Sequence, residues 1–394
     1  IVLGPKLYDQ TIMIKQLFES KYIQELIEIE SKKTVQKRHK IANKILRYIK
    51  EISAAQNYST LRFLNLILTY VLKKLFVKIE TQNIQQIREI SQTHSLVYVP
   101  AHRSYFDFLA LPYILYQNGL KTPHFAAGIN LNFWPVGSLL RKGGAFFIRR
   151  TFKGNKLYAK VLYEYINLLM QHAYPICFFP EGQRSRIGKS LQPKTGMLSM
   201  IVQGYLRDKT KPIAFVPVYI GYDNVIEIKS YIKELSGQSK KNENFTQLLK
   251  AKKIFKKTYG KIYINFATPI ILEQFLQDNY STHENLNITS EDTKPLWYTD
   301  LIQKLVYNIS QNINEQATIT PTSVVASVLT SLPQKSLPEP ELKNIIDNII
   351  TLIKNSVYKN KEHLIPIHDP EQIIKYTEQY SYLKRFNYPE ISEY

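Results

Sequence analysis

From residue 95 onward the chain repeats one pattern: a short, nearly unbroken apolar run, a loop, then a stretch with helical periodicity. Ser95 to Val99, Gly144 to Ile148, Pro175 to Phe179, Ile213 to Tyr219 and Lys261 to Phe266 are the runs. Phe106 to Tyr116, Lys156 to Gln171 and Gly196 to Leu206 are the helical stretches between them. Short apolar runs bounded by loops read as strands, and strands that alternate with helices call for parallel crossover connections. The expected fold class is therefore α/β, a largely parallel central sheet flanked by helices. Pro175-Ile-Cys-Phe-Phe179 has no polar member, as a strand covered on both sides requires.

Residues 1–94 read instead as a helical region, with apolar residues three and four apart and no proline after Pro5. Within it, Leu61 to Val77 carries one narrow polar stripe (Arg62, Asn65, Thr69, Lys73) on an otherwise apolar helix. That pattern fits a helix packed on the domain with its polar edge wet, or a basic-flanked helix lying in a membrane interface. The α/β domain is expected over 95–320 and a second helical region over 321–394, with the proline-rich segment Pro333 to Pro340 linking helical elements. Ser236 to Asn244 reads as a polar loop, and the lysine-rich Lys250 to Lys257 after it as a solvated face.

Residues suited to chemistry gather in the loops that follow the apolar runs. After the first run come His102 and Asp107. On a continuous helix five residues would set them about 140° apart, so they meet only if His102 lies in a turn and Asp107 opens the next helix. A carboxylate on one ring nitrogen then fixes the tautomer and leaves the other nitrogen basic. The spacing by itself fits a satisfied structural histidine equally well. The second run ends in Phe147 and Ile148, and Arg149, Arg150 and Lys153 leave it as a cationic loop suited to bidentate grip on a phosphate, or simply an exposed basic loop.

The third loop holds Glu181, Gly182, Arg184, Ser185, Arg186 and, further on, Lys194. Glu181 can bond substrate hydroxyls there while the arginines add positive charge; a turn closed by a salt bridge is the plainer reading. The fourth cluster, Val216 to Tyr222 around Pro217, offers no titratable group suited to catalysis and reads as the wall of a pocket.

Bulk properties narrow the partners. Fifty-two Lys and Arg against 32 Asp and Glu leave a formal charge of +20, which favours anionic substrates or an acidic lipid surface. Nucleic acid is the rival anion, but no recognised nucleic-acid module is visible, so none is expected as a partner. Cys177 is the single cysteine, which rules out an internal disulfide framework, and inside an apolar strand its thiol is expected to be inert. No stretch approaches the roughly 18–20 apolar residues of a membrane span. There is no G-x-S-x-G elbow, phosphate-binding P-loop, H-E-x-x-H motif or dinucleotide fingerprint, and the histidines lack metal-ligand spacing.

Four blocks, HRSYFDFLALPYILYQNGL, AAGINLNFWPVGSLLRKGGAFFIRRTFKGNKLY, FFPEGQRSRIGKSLQPKTGMLSM and VPVYIGYD, together resemble the bacterial membrane-associated glycerol-3-phosphate acyltransferase family. The resemblance runs in order from about His102 to Asp223, with weaker similarity in the flanking helices. It implies transfer of a fatty acyl chain from acyl-CoA or acyl carrier protein to the sn-1 hydroxyl of glycerol 3-phosphate. No cofactor or metal is implied, and the site is placed at the cytoplasmic face of the inner membrane, against an anionic surface.

By position, His102 is the implied base and Asp107 its orienting partner. Phe147, Ile148, Arg150, Glu181, Gly182 and Arg184 form the implied substrate site, with Pro217 standing for the fourth block. Pro180 and Gln183 depart from the family's commoner residues without altering a charge. Family members are considerably longer at both ends, and the chain opens on Ile1, so a piece of a longer protein is expected.

Overall fold

Along each central strand, successive side chains serve two different cores. The computed structural model describes residues 7–34, 37–151, 154–208, 211–237, 252–280, 295–355, 364–380 and 383–386. Among these, eight strands form one sheet: β1 (Lys78–Gln82), β2 (Ser95–Pro100), β3 (His124–Gly128), β4 (Ala145–Ile148), β5 (Ile176–Cys177), β6 (Ile213–Tyr222), β7 (Lys261–Phe266) and β8 (Ile270–Ile271). Their order is β1-β7-β6-β2-β5-β3-β4, with β8 also alongside β6. Pairing from β6 through β2, β5 and β3 to β4 is parallel, as is that of β1 with β7; β7 and β8 run antiparallel to β6.

On one face of the sheet, Val97, Val99, Phe146, Ile176 and Phe215 pack against helices from both ends of the chain. These are α1 (Gln10–Glu19), α2 (Lys21–Thr34) and α3 (Arg38–Ile52), together with four later helices. On the other face, Leu96, Tyr98, Phe125, Cys177 and Val216 meet α4 (Tyr58–Leu75), α5 (Ile84–Ile90) and α6 (Asp107–Gln117). Further along come α7 (Val136–Lys142), α8 (Lys156–Gln171), α9 (Gly196–Asp208), α10 (Ile228–Leu235), α11 (Leu272–Tyr280) and α12 (Leu296–Glu315). Of these, α8, α9, α11 and α12 complete the first core. Burial on both faces is why the central strands read as near-continuous apolar runs.

The last helices, α13 (Pro321–Ser331), α14 (Glu339–Asn355) and α15 (Pro370–Tyr380), enclose a separate core around Val325, Leu342, Ile346, Ile350 and Ile373. They are tied to the end of β6: Tyr376 donates its hydroxyl proton to Asp223, and Asn224 donates to the Tyr380 carbonyl.

Two readings need correction. The helical region does not run to residue 94, because β1 lies within it and pairs with β7 from Lys78↔Lys261 to Gln82↔Asn265. Lys78-Ile-Glu-Thr-Gln82 is polar because it is an edge strand, and the periodicity that signals a buried strand is absent there. In α4 the polar stripe is only partly wet. Gln117 of α6 donates to Asn65, and Thr69 lies beside the Tyr113 hydroxyl, so the middle of the stripe faces α6. Phe63, Leu66, Ile67 and Tyr70 point outward, 55%, 70%, 41% and 65% exposed. The polar loop Ser236 to Asn244 and the start of the lysine-rich segment lie largely outside the described residues.

Candidate active site

Because β6, β2, β5, β3 and β4 are mutually parallel, their carboxyl ends share one edge of the sheet. The loops that follow β2, β5 and β4, where the sequence concentrates charge, all leave from that edge. The β2 loop turns directly into α6, whose first residue is Asp107. His102 is thus placed in a turn and Asp107 at a helix start, the geometry in which they can meet.

They do meet. His102 Nδ1 and Asp107 Oδ2 are 2.8 Å apart. The same Oδ2 accepts the backbone N–H groups of Arg103 at 2.7 Å and Ser104 at 2.9 Å. Oδ1 accepts the Tyr222 hydroxyl at 2.6 Å. Asp107 is fully buried, and these donors satisfy both of its oxygens. With two backbone N–H groups already on Oδ2, the ring must also present an N–H, so Nδ1 carries the proton and Nε2 is the basic nitrogen. Among the described residues Nε2 has no hydrogen-bond partner in the protein. The rings of Phe179, at 4.3 Å between centroids, and Phe108, at 5.2 Å, flank the imidazole.

Glu181 performs a task other than the one expected. It is buried, its Oε1 accepts the backbone N–H of His102 at 3.0 Å, and its Oε2 accepts that of Leu191 at 2.9 Å. The Ser185 N–H in turn donates to the His102 carbonyl at 2.8 Å. The carboxylate therefore clasps the loop after β5 to the loop after β2 and sets the height of the imidazole. Gly182 sits in the left-handed region (φ +65°), and that backbone conformation is what calls for glycine; the Lys194 side chain, 3.0 Å from where a Cβ would lie, is flexible and can move aside. Ser185 is buried, and its hydroxyl is taken by the Lys189 carbonyl.

Most of the arginines are likewise engaged inside the protein. Arg149 makes a two-pronged pair with Glu51 of α3, Nε to Oε1 at 2.7 Å and Nη2 to Oε2 at 2.8 Å, and lies over the Tyr48 and Tyr158 rings. Glu51 raises its pKa, so the guanidinium stays charged. Arg184 is buried 3.6 Å from the Tyr105 ring centroid, donates to the Tyr231 hydroxyl at 2.8 Å and lies 3.6 Å from Glu227. Glu227, pushed up by burial, accepts the Ser104 hydroxyl and the Tyr105 N–H. Arg184 thus braces the far side of the His102 loop. Arg186 is paired with Glu234 of α10 at 3.0 Å.

Phe147 is fully buried beside Ala127 and Ala145, under the Arg141 guanidinium; Ile148 is half-buried against the first core; Pro217 is buried in β6 opposite Val99. Phe147 and Pro217 are thus packed inside the fold, while Ile148 keeps part of its surface exposed at the carboxyl end of β4. Arg150 and Lys194 are exposed on loops from the same sheet edge. Lys153 lies outside the described residues.

Two family models match the chain, one described as acyltransferase over residues 78–221 and one as the C-terminal region of glycerol-3-phosphate acyltransferases over residues 231–389. Among curated proteins it is 38% identical over 377 residues to a glycerol-3-phosphate acyltransferase of Pseudoalteromonas atlantica, covering 95% of this chain and 46% of that protein. The chain belongs to the glycerol-3-phosphate acyltransferase family.

A family member of the same name from Pseudomonas paraeruginosa is 37% identical over 382 residues, covering 97% of this chain and 46% of that one. The chain thus spans a little under half the length of the curated relatives it matches. A solved 1-acyl-sn-glycerophosphate acyltransferase from Thermotoga maritima aligns over 76% of this chain and 96% of that one, at 14% identity and a TM-score of 0.30, too loose a likeness to weigh. The acyltransferase match starts at Lys78, where β1 starts, in keeping with a sheet domain that begins before residue 95.

The sequence reading of this family member missed Tyr222, Glu227 and Tyr231. The fourth block does contain a titratable group that reaches the His102–Asp107 couple. Burial, reinforced by Asp107, pushes the Tyr222 hydroxyl well above its usual range, so it stays a proton donor. Its place as the last residue of a long apolar strand was the available signal.

Proposed function

We propose that this chain carries the catalytic centre of a glycerol-3-phosphate 1-O-acyltransferase. It takes a fatty acyl group from acyl-CoA or acyl carrier protein and delivers it to the sn-1 hydroxyl, giving 1-acyl-lysophosphatidate. The observation that carries this reading is the buried His102–Asp107 couple with Nε2 free, in a chain of this family. A primary alcohol is a weak nucleophile at neutral pH, and imidazole can remove its proton as the oxygen attacks the thioester carbonyl. The tetrahedral intermediate collapses by breaking the C–S bond, and the imidazolium proton goes to the departing sulfur. The proposed cycle uses no cofactor and no metal.

Arg150 and Lys194 are proposed to hold the phosphate, being the exposed cations among the candidate residues described on the site edge. Holding it fixes which hydroxyl faces Nε2, turning a chance encounter into an oriented one. Arg150→Ala is expected to raise KM for glycerol 3-phosphate about tenfold or more, the loss of one charged hydrogen bond. Arg149→Ala is expected to leave KM nearly unchanged and lower Tm, because its partner is Glu51. Steady-state kinetics and a melting curve on both variants separate the two roles, and a matched rise in KM would undo the distinction.

Tyr222→Phe removes one donor from Asp107 and keeps the ring. Asp107 then loses the contact that fixes its Oδ1, so kcat is expected to fall several-fold with KM for glycerol 3-phosphate little changed. An unchanged kcat in steady-state kinetics would make Tyr222 a packing residue only.

Attachment to the cytoplasmic face of the inner membrane is part of the proposal. Among the described residues no helix is long and apolar enough to cross a membrane. The outward stripe of α4, with Arg62, Lys73 and Lys74 exposed beside it, suits a peripheral seat on an anionic surface. The functional test is transfer from palmitoyl-CoA to radiolabelled glycerol 3-phosphate with added phospholipid, run beside dihydroxyacetone phosphate. Labelled lysophosphatidate is expected; preference for the ketone would reassign the acceptor.

A further inference from the structure

Glu227 lies four residues beyond the last of the four blocks and stands at the start of α10 as its N-cap residue. Its side chain makes no capping hydrogen bond to that helix, the use to which a polar side chain is usually put there. It reaches instead to the turn between β2 and α6. Oε1 accepts the Tyr105 N–H at 2.7 Å, and the Ser104 hydroxyl lies 3.0 Å from Oε1 and 2.9 Å from Oε2. The same hydroxyl accepts the Phe106 N–H at 3.1 Å, just ahead of Asp107, the first residue of α6. One turn further along α10, Tyr231 donates to the Arg103 carbonyl at 3.0 Å. Residues 103–106, the whole turn between the imidazole and its carboxylate, are thus held from the start of α10.

Holding that turn also holds Asp107, because the Arg103 and Ser104 N–H groups on its Oδ2 belong to the turn. A displaced turn would swing the carboxylate off Nδ1 and tilt Nε2 away from the acceptor hydroxyl. Glu227 is 2% exposed, and a carboxylate so deep costs solvation. Arg184, 3.6 Å away, offsets part of that. A buried ion pair of this kind adds little net stability over apolar residues of the same size, so what it contributes is geometry. Both Glu227 oxygens are engaged within the protein, which keeps it from touching substrate.

We propose that Glu227 is a positioning residue for acyl transfer, setting the His102–Asp107 geometry through Ser104 and Tyr105. The inference rests on the reaction proposed above, with His102 as its base.

Two variants of the whole chain test it. Glu227→Gln keeps the size of the side chain but leaves one acceptor oxygen in place of two and no charge opposite Arg184. Ser104→Ala removes only the hydroxyl link, a small change that carries the test should the first variant not fold. Each is expected to lower kcat by about ten- to a hundredfold, the cost of a misplaced reacting group, with KM for glycerol 3-phosphate within about twofold. The double variant should be no slower than the slower single one, because both changes break one link. The proton NMR signal of His102 Nδ1–H, identified by its loss in His102→Ala, should shift or disappear in both variants. Glu164→Gln is the control: Glu164 is also buried and is paired with Arg207 in the last turn of α9. The same change there should lower Tm and leave kcat and the signal alone. A kcat within about twofold of wild type in either variant, losses that multiply in the double variant, an equal loss in Glu164→Gln, or an unmoved Nδ1–H signal would overturn the proposal. If the unaltered chain transfers no acyl group, the reaction reading fails, and the NMR signal alone decides on the positioning role.

Discussion

His102→Ala is expected to lower acyl transfer by about 10²- to 10⁴-fold, the usual worth of a positioned general base. Glycerol 3-phosphate binding and the fold should survive. The imidazole is held by its loop but does little to hold it. Asp107 keeps the Arg103 and Ser104 N–H groups and the Tyr222 hydroxyl after the ring is gone. Glu181 still takes the backbone N–H of residue 102, which alanine also provides. Turnover measured beside calorimetric binding of glycerol 3-phosphate separates chemistry from affinity. Transfer within a few-fold of wild type would place the base elsewhere.

Glu181→Gln should be nearly as damaging, for a different reason. Both carboxylate oxygens accept backbone N–H groups in a buried setting. An amide must turn its NH2 toward one of those two donors, losing a charge-assisted bond of about 1.5–3 kcal/mol and opposing donor to donor. Tm is expected to fall by several degrees. Turnover is expected to fall at least about tenfold, since a misplaced base loses much of the benefit of orientation. KM for glycerol 3-phosphate should hardly change. A Glu181 that gripped substrate hydroxyls would give the opposite outcome, raised KM with unchanged Tm, and seeing that would retire the clasp.

The contrast between these two residues shows what could be read from the chain beforehand. His102 and Asp107 are close in sequence, and the boundary between strand and helix decides whether they touch, so apolar runs and helical periodicity were enough. Glu181, Arg149, Arg184 and Arg186 were recognised as charged loop residues, with ligands weighed against a plain salt bridge or an exposed basic loop, but no partner could be named for any of them. Their partners are the backbone of another loop, Glu51, Glu227 and Glu234, and for Arg149 the separation is 98 residues. Residue type reveals a charge; only the fold reveals what neutralises it.

The sheet was legible where strands are buried on both faces, as at Ile176–Cys177 in β5. It was not legible at β1, an edge strand with polar alternation, or at β3, whose His124-Phe-Ala-Ala-Gly128 lacks the branched residues that mark strands. In α4 the stripe was visible, but not that its centre would turn toward α6 and leave the apolar side outward.

Acyl transfer at this centre requires an alcohol to reach one particular nitrogen. A crystal structure with glycerol 3-phosphate and a non-transferable acyl-CoA analogue bound is the most direct measurement. It should place the sn-1 oxygen within about 3.2 Å of His102 Nε2, with the phosphate among Arg150 and Lys194. A glycerol 3-phosphate whose hydroxyl meets a different base, or one seated out of reach of the imidazole, would contradict it.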